Sequence, residues 1–317
     1  MIIALDASYH QVNLFEIKSN DELVKLKKNG PYHCPICKKP VRIKAGMKRR
    51  AHFAHIDLTE CENERKESIQ HLEGKYDLYH FFNKLAVKVY LEKYIQEINQ
   101  RPDLLVEIMN EQLCIEYQCS KIPIELIEQR NESFKQLNIK VLWIFGDKLL
   151  QQKNRFCYTI NSIIKYSMIN DYDKSVIYYN TSAKTFIILS SLVSFSPQIF
   201  VGKKTEINLE NCRIPQLVSQ PKINKKDFVS TWCNLKRAYR KNQHLNFRGS
   251  FYQLKEKMYL LQIDYLPAVV GIPLACNYLL NEHSIVWQGM VYLLFIHSNQ
   301  IEEIIQLEEI KRYFNHQ

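Results

Sequence analysis

Residues 101–123 read RPDLLVEIMNEQLCIEYQCSKIP, and this stretch decides the fold. Two apolar runs, Leu104–Met109 and Cys114–Gln118, flank the polar break Asn110-Glu111-Gln112, which is the pattern of two strands joined by a tight turn. Asp103 stands before the first run and Glu116 near the end of the second. Polar residues mark strand ends by default. Two carboxylates from different backbone positions are also what a hard divalent cation needs for phosphodiester hydrolysis, where the cation lowers the pKa of a bound water and offsets charge on the phosphate. Two residues beyond the second acid, where such sites usually carry lysine, stands the uncharged donor Gln118. Lys121 reaches back to the pair only if the chain turns sharply there.

Upstream, from Glu64 to Tyr94, Ile69, Leu72, Tyr76, Tyr79, Phe82, Ala86 and Val89 recur at three- and four-residue steps and predict one long helix, with Gly74 as a flaw in it. Glu67, His71 and Lys75 form a polar stripe beside the apolar one. That stripe is either an exposed ion-pair face or the border of the Asp103–Glu116 mouth. In the second case Glu67 adds a ligand, and His71 or Lys75 supplies a base or the missing cation. A short extended piece is expected near Ile95–Ile98. Downstream, Ser120 and Pro123 announce a helix to about Leu137, followed by the strand Val141–Phe145, which Gly146 ends. Helix, three strands, helix, strand is an αβββαβ order that covers one sheet with helices on both sides.

The chain has 317 residues, 46% of them apolar and 12% aromatic, which says globular rather than disordered. Nine cysteines, an odd number, and an N-terminus without a basic region or long apolar run argue against a secreted disulfide framework and predict a cytoplasmic protein. No apolar run has the length of a membrane span. The net charge of +10 is unevenly spread: residues 1–60 hold 11 Lys/Arg against 6 Asp/Glu, residues 61–150 hold 12 against 15, and residues 151–317 hold 20 against 12. Basic flanks around an acidic centre suit a polyanion and a divalent cation, although solvated surface charge alone gives the same count.

In the first region, Cys34-Pro35-Ile36-Cys37 precedes His52-Phe53-Ala54-His55 by 14 intervening residues. Two thiolates and two imidazoles predict a closed tetrahedral zinc site, because a module this small needs a staple. The spacing is not that of a DNA-reading finger. Between the pairs, Lys38, Lys39, Arg42, Lys44, Lys48, Arg49 and Arg50 are seven cations with no acid among them, expected as a phosphate-binding loop. The remaining cysteines, including Cys61, Cys114 and Cys119, read as small buried apolar residues. In the third region, KSVIYYN and KTFIILSSL predict a hairpin, and helical patterns dominate beyond Lys222. There Lys236, Arg237, Arg240, Lys241 and Arg248 interleave with Trp232, Tyr239 and Phe247, a pattern that suits phosphates and unpaired bases. The competing reading, aromatics turned into a core, is the stronger one for Trp232.

YHCPICKKPVRIKAGMKRRAHFAH, KESIQHLEGK, RPDLLV and CIEYQCSKI followed by WIFG together resemble the CoiA-like competence proteins of bacteria, with block order and spacing agreeing over about residues 30–150. The resemblance implies a PD-(D/E)XK nuclease-like domain behind a zinc-finger-like N-terminus, acting in natural transformation on DNA taken into the cytoplasm. It implies Asp103 and Glu116 as metal acids, Gln118 at the usual lysine position, Glu67 and His71 as the helix motif, and Arg130 and Phe134 as the basic and aromatic pair of the second helix. Gln in place of Lys bears on catalysis rather than on the fold.

The expectation is therefore a mixed α/β (α+β) chain: a basic zinc-binding module over 1–60, a restriction-endonuclease-like αβββαβ core over 61–150, and a basic, mostly helical domain over 151–317. The expected function is Mg²⁺- or Mn²⁺-dependent hydrolysis of DNA at Asp103, Glu116, Gln118 and Glu67, with His71, Lys75 or Lys121 doing proton or charge work. The alternative is an inactive core that binds single-stranded DNA or recombination intermediates and hands them to a recombinase or single-strand-binding protein. No membrane association is expected.

Overall fold

The computed structural model describes residues 1–46, 49–56, 61, 67–85, 87–168, 174–218, 221–242, 249–274 and 277–297. Lys48, Ala86, Phe247 and Arg248 lie outside the described residues, as does the expected helix start at Glu64. The chain divides into two units, one of residues 1–150, 166–188 and 205–220, the other of 151–165, 189–204 and 221–317.

The first unit opens with β1 (Ile3–Leu5), β2 (Gln11–Asn13), α1 (Asn20–Lys28), β3 (Tyr32–His33), β4 (Pro40–Gly46) and β5 (Arg49–His55). The strands form an antiparallel sheet in the order β2-β1-β3-β4-β5. The Phe53 N–H also donates to the Met1 carbonyl at 2.8 Å, so β5 meets the segment leading into β1. Ile2, Ala4, Tyr32, Val41 and Phe53 fill the core that this arrangement encloses. The basic stretch after Cys37 is thus largely a β-hairpin and not a loop. On β4, Val41 is buried while Arg42 and Lys44 are exposed, as period-two alternation requires.

Next come α2 (Ile69–Lys84), β6 (Lys88–Leu91), β7 (Leu104–Ile108), β8 (Glu111–Gln118), α3 (Ile124–Gln136) and β9 (Lys140–Gly146). This is the expected αβββαβ order. Strands β6, β7 and β8 run antiparallel, and β8 pairs parallel with β9. Leu72, Leu78 and Phe82 of α2 share a core with Leu104, Val106, Ile115 and Tyr117 on one face of the sheet. Phe134 of α3 packs with Leu105 and Cys114 on the other. The Ser68 hydroxyl caps α2 by accepting from the His71 N–H at 3.1 Å.

The expected helix to Tyr94 is corrected here. α2 ends at Lys84, and Lys88–Leu91 is the first strand of the sheet, because Val89 and Tyr90 suit a pleated surface better than a helix end. The Ile95–Ile98 piece is a short 3₁₀ turn closed by a bridge between Ile95 and Gln100.

The chain continues through β10 (Gln151–Asn154), β11 (Cys157–Thr159), α4 (Ser162–Ser167), β12 (Val176–Asn180), β13 (Thr185–Ser194), β14 (Ile199–Asn208) and α5 (Ile214–Val218). In the first unit β12 pairs parallel with β9. The residues of β13 and β14 are divided between the two units. The second unit also holds α6 (Lys225–Asn242), α7 (Ser250–Leu260) and α8 (Ser284–Val291), so among the described residues helices dominate from Lys225 onward. Its core gathers Phe195, Val201, Trp232, Leu254, Ile285 and Leu293.

Candidate active site and metal centre

Cys34 follows β3 directly, and the chain turns back at once. The Cys34 N–H donates to the Lys39 carbonyl at 2.9 Å, the Lys38 N–H donates to the Cys34 carbonyl at 3.0 Å, and Lys38 adopts a left-handed φ of 59°. This tight turn aims both thiols inward, where they meet His55 and Cys61. One ligand atom of each of the four residues lies within 4.8 Å of all the others. Cys37 Sγ sits 3.2 Å from His55 Nε2. Burial, the largest influence, raises both thiols, and it leaves Cys34 at about 11. In Cys37 it is outweighed by hydrogen bonds from the Lys39 backbone, His55, Cys34 and Cys61, which bring that thiol down to about 7. Three sulfurs and an imidazole, without a disulfide among them, are a donor set that can hold a soft or borderline metal.

His52 is not part of this cluster. Residues three apart on a strand face opposite sides, so with His55 turned to the cysteines His52 turns away, and its Nδ1 lies 2.9 Å from the Arg50 carbonyl. Cys61, read from the sequence as a packing residue, takes the expected place of His52. The available signal was an unmatched cysteine six residues beyond His55.

The second grouping opens on a cleft of about 750 Å³ lined by Glu67, His71, Asp103, Glu116, Gln118 and Arg130 among others. Glu67, His71 and Asp103 bring ligand atoms within 4.8 Å of one another. Asp103 Oδ2 accepts from the Tyr117 N–H at 2.9 Å and lies 3.1 Å from His71 Nε2. His71 Nδ1 is 3.3 Å from Glu67 Oε1. Beneath them the Lys75 ammonium, 1% exposed, contacts Glu67, lies 2.5 Å from Glu92 Oε1 and 3.6 Å from Asp103 Oδ1. The polar stripe on the helix therefore borders the cleft and is not a solvated face.

The charges here hold one another. Burial, the largest influence on each group, favours the neutral forms, but the partners reverse it. Lys75 above all keeps Glu67 far below the usual carboxylate range, and His71 with Lys75 does the same for Asp103. Asp103 and Glu67 hold His71 up at about 9, and Lys75 is raised by Glu67, Glu92 and Asp103.

Glu116 lines the same cleft but is ion-paired with Arg130 of α3, both nearly buried, so the described side chains do not gather Asp103 and Glu116 into one ligand set. Glu116 turns with Cys114 to the α3 face, while Asp103 precedes β7 and turns to α2. Phe134 is buried and reaches no part of the cleft lining. Gln118 spends its amide N–H groups on Ser120, 2.6 Å to the carbonyl and 3.1 Å to the hydroxyl. Lys121 is exposed and is not among the lining residues. Besides Arg130, the lysines and arginines that line the cleft are Arg101 and Lys148, neither apparent from the sequence; Lys75 lies beneath the lining.

Among the basic stretches, Lys38, Lys39, Arg42 and Lys44 are exposed. Arg49 and Arg50 instead fold inward: Arg49 donates to the Glu67 carbonyl, and Arg50 pairs with Glu73 at 2.9 Å and covers the Tyr76 ring at 3.5 Å. In the second unit, Trp232 is buried and donates to the Gly271 carbonyl at 2.8 Å, and Tyr239 stacks on His283 at 3.5 Å between ring centres. These aromatics belong to the core. Lys236 donates to the Ala268 and Val270 carbonyls, whereas Arg237, Arg240 and Lys241 are exposed.

A sheet sandwiched between α2 and α3, with an acid-lined cleft where β7 and β8 meet α2, defines a nuclease-like protein, and the family comparisons agree. Residues 67–222 match the nuclease-like domain of competence protein CoiA, residues 15–64 its N-terminal domain and residues 228–317 its C-terminal domain, so the chain belongs to the CoiA family. It is 28% identical over 290 residues to a competence protein CoiA of Bacillus subtilis (strain 168), covering 88% of this chain and 76% of that protein. Among the described residues, no helix is long and apolar enough to cross a membrane.

Proposed function

We propose that this protein is a metal-dependent deoxyribonuclease of natural transformation, acting in the cytoplasm on single-stranded DNA or recombination intermediates. The observation that carries the reading is the convergence of Glu67, His71 and Asp103 on an open cleft that also holds Glu116. Carboxylate oxygens and an imidazole are ligands for Mg²⁺ or Mn²⁺, which when bound supplies charge stabilisation for the phosphate and a more acidic water. The residues do the rest. Asp103 is fixed in the cleft wall by the Tyr117 N–H and by His71. Lys75 holds Glu67 and Asp103 in register. Arg101 and Lys148 offer positive charge to a phosphate entering the cleft, and Gln118 lines it with its amide N–H groups held by Ser120. Zn²⁺ on Cys34, Cys37, His55 and Cys61 staples the N-terminal module, whose exposed Arg42 and Lys44 extend the surface offered to DNA.

The second reading, an adaptor that binds DNA and passes it to a recombinase or single-strand-binding protein, is favoured by one observation: Glu116 is already neutralised by Arg130. Cleavage assays on single- and double-stranded DNA with Mn²⁺, Mg²⁺ or EDTA separate the two. Metal-dependent cutting by the wild type, lost in Asp103→Ala and Glu67→Ala, is expected. DNA binding without cutting under any of these conditions would leave the adaptor reading.

A further inference from the structure

Glu92 follows β6, is 4% exposed, and spends both oxygens. Its Oε2 accepts from the Ile2 N–H at 2.7 Å and the Ile3 N–H at 3.2 Å, at the start of β1. Its Oε1 takes the Lys75 ammonium at 2.5 Å. Glu92 lines the cleft, yet with its oxygens turned to Lys75 and the β1 amides it is absent from the Glu67–His71–Asp103 group. A buried carboxylate that ties two elements together beside the ligand group, and is not one of that group, needs another role. The charge arrangement supplies one. Lys75 faces three carboxylates, Glu67, Glu92 and Asp103. Without Glu92 the ammonium would be shared by the two cleft acids alone and would compete with a cation for them.

We propose that Glu92 is a positioning residue of the cation site: it takes up the charge of Lys75 and locks that side chain to β1, leaving Glu67 and Asp103 with negative charge for a divalent cation. The inference rests on the cleft being a cation site, as proposed above. It makes the N-terminal strand part of the support of the cleft, because the same carboxylate that holds Lys75 holds the Ile2 and Ile3 backbone.

The test is Mn²⁺ binding to the full-length protein, followed by electron paramagnetic resonance and calorimetry, with thermal melts alongside. Glu92→Gln keeps an oxygen for Ile2 and Ile3 but turns an amide N–H₂ toward the ammonium. Removing one charge at such range in a partly buried site predicts Mn²⁺ affinity lower by about tenfold or more. The double variant Glu92→Gln/Lys75→Gln removes the competing ammonium as well, and its affinity is expected back within about threefold of wild type, the pattern of coupled neighbours in a double-mutant cycle. A residue that only anchored β1 would show no such recovery. Unchanged affinity in Glu92→Gln, or a double variant as weak as the single one, overturns the proposal. Should Glu92→Gln not fold, Glu92→Asp withdraws the charge by one methylene, and unchanged affinity in that variant overturns the proposal equally. A wild type that binds no Mn²⁺, or binds it undiminished in Asp103→Asn, overturns the cation reading and this inference with it, whereas the preceding outcomes leave the cation reading standing.

Discussion

Gly74 of α2 lies against the ring of Tyr117 on β8 so closely that a Cβ at that position would fall 2.0 Å from Cε1 and 2.5 Å from Cζ. The apparent flaw in the helix is therefore what lets the helix carrying His71 and Lys75 approach the strand carrying Glu116. The ring cannot step aside, since Tyr117 is buried, donates to the Tyr179 carbonyl at 3.3 Å and stacks with His71. Gly74→Ala is expected to destabilise the protein by about 1–3 kcal/mol or more through overpacking, against the gain in helix propensity that Ala brings elsewhere. Urea melts of the two proteins measure it; an alanine variant at least as stable as wild type would contradict the contact.

The N-terminal cluster makes a choice between two histidines and a cysteine. Purified protein is expected to carry about one equivalent of zinc, as a four-ligand structural site requires. His52→Ala should retain it, and Cys61→Ser or His55→Ala should lose it and unfold the N-terminal module. Metal analysis by mass spectrometry decides; full zinc in Cys61→Ser with none in His52→Ala would restore the pairing read from the sequence.

Acid should weaken the fold through Glu92. Its carboxyl sits at about 2 in the folded protein: burial, the largest influence, raises it, but Lys75 and Arg101 bring it below its ordinary 4.5. A depressed folded value means the unfolded chain binds the proton first, so the stabilisation is complete above about 4.5 and is lost as pH falls from there toward about 2. Asp103 and Glu67 shift the same way. Denaturant melts from pH 7 to pH 3 should show this fall, and Glu92→Gln should flatten part of it. An equal slope in that variant would mean other carboxyls carry the acid sensitivity.

DNA affinity is expected to fall steeply with added salt as counterions are released. Arg42→Ala with Lys44→Ala, both exposed on β4, should lower the slope of log affinity against log salt by about two without changing stability. Arg50→Ala should act differently, lowering stability, since its guanidinium covers Tyr76 and pairs with Glu73. Fluorescence anisotropy at several salt concentrations, beside thermal melts, distinguishes these. A flat salt dependence would remove β4 from the DNA surface.

The order of elements around Asp103 was readable because α2, the β7–β8 hairpin, α3 and β9 each carry their own period and punctuation. What escaped was set by partners distant in sequence. Lys88–Leu91 continues the apolar spacing of the helix, which masks its strand-favouring residues until pairing with β7 is known. Glu92 looks like any acid beside a lysine until its contacts with Ile2 and Ile3, 90 and 89 residues away, are known. Conversely, Arg49, Arg50 and Trp232 carry the composition of a nucleic-acid surface, yet an arginine fork and an indole N–H find partners inside a fold as readily as outside it. His52 and His55 read as a pair because spacing alone does not reveal that both lie on one strand and face opposite sides of it.

That 90-residue separation has a consequence for how the chain is made. The β1 segment leaves the ribosome well before the ammonium of Lys75 and the carboxylate of Glu92 that receives its amides. Until β6 and α2 are in place, β1 has its sheet neighbours but lacks the acceptor that fixes its leading end, and such long-range closure is slow. A segment made early is thus locked by residues made much later, and a chain interrupted before Glu92 lacks the acceptor for the Ile2 and Ile3 amides.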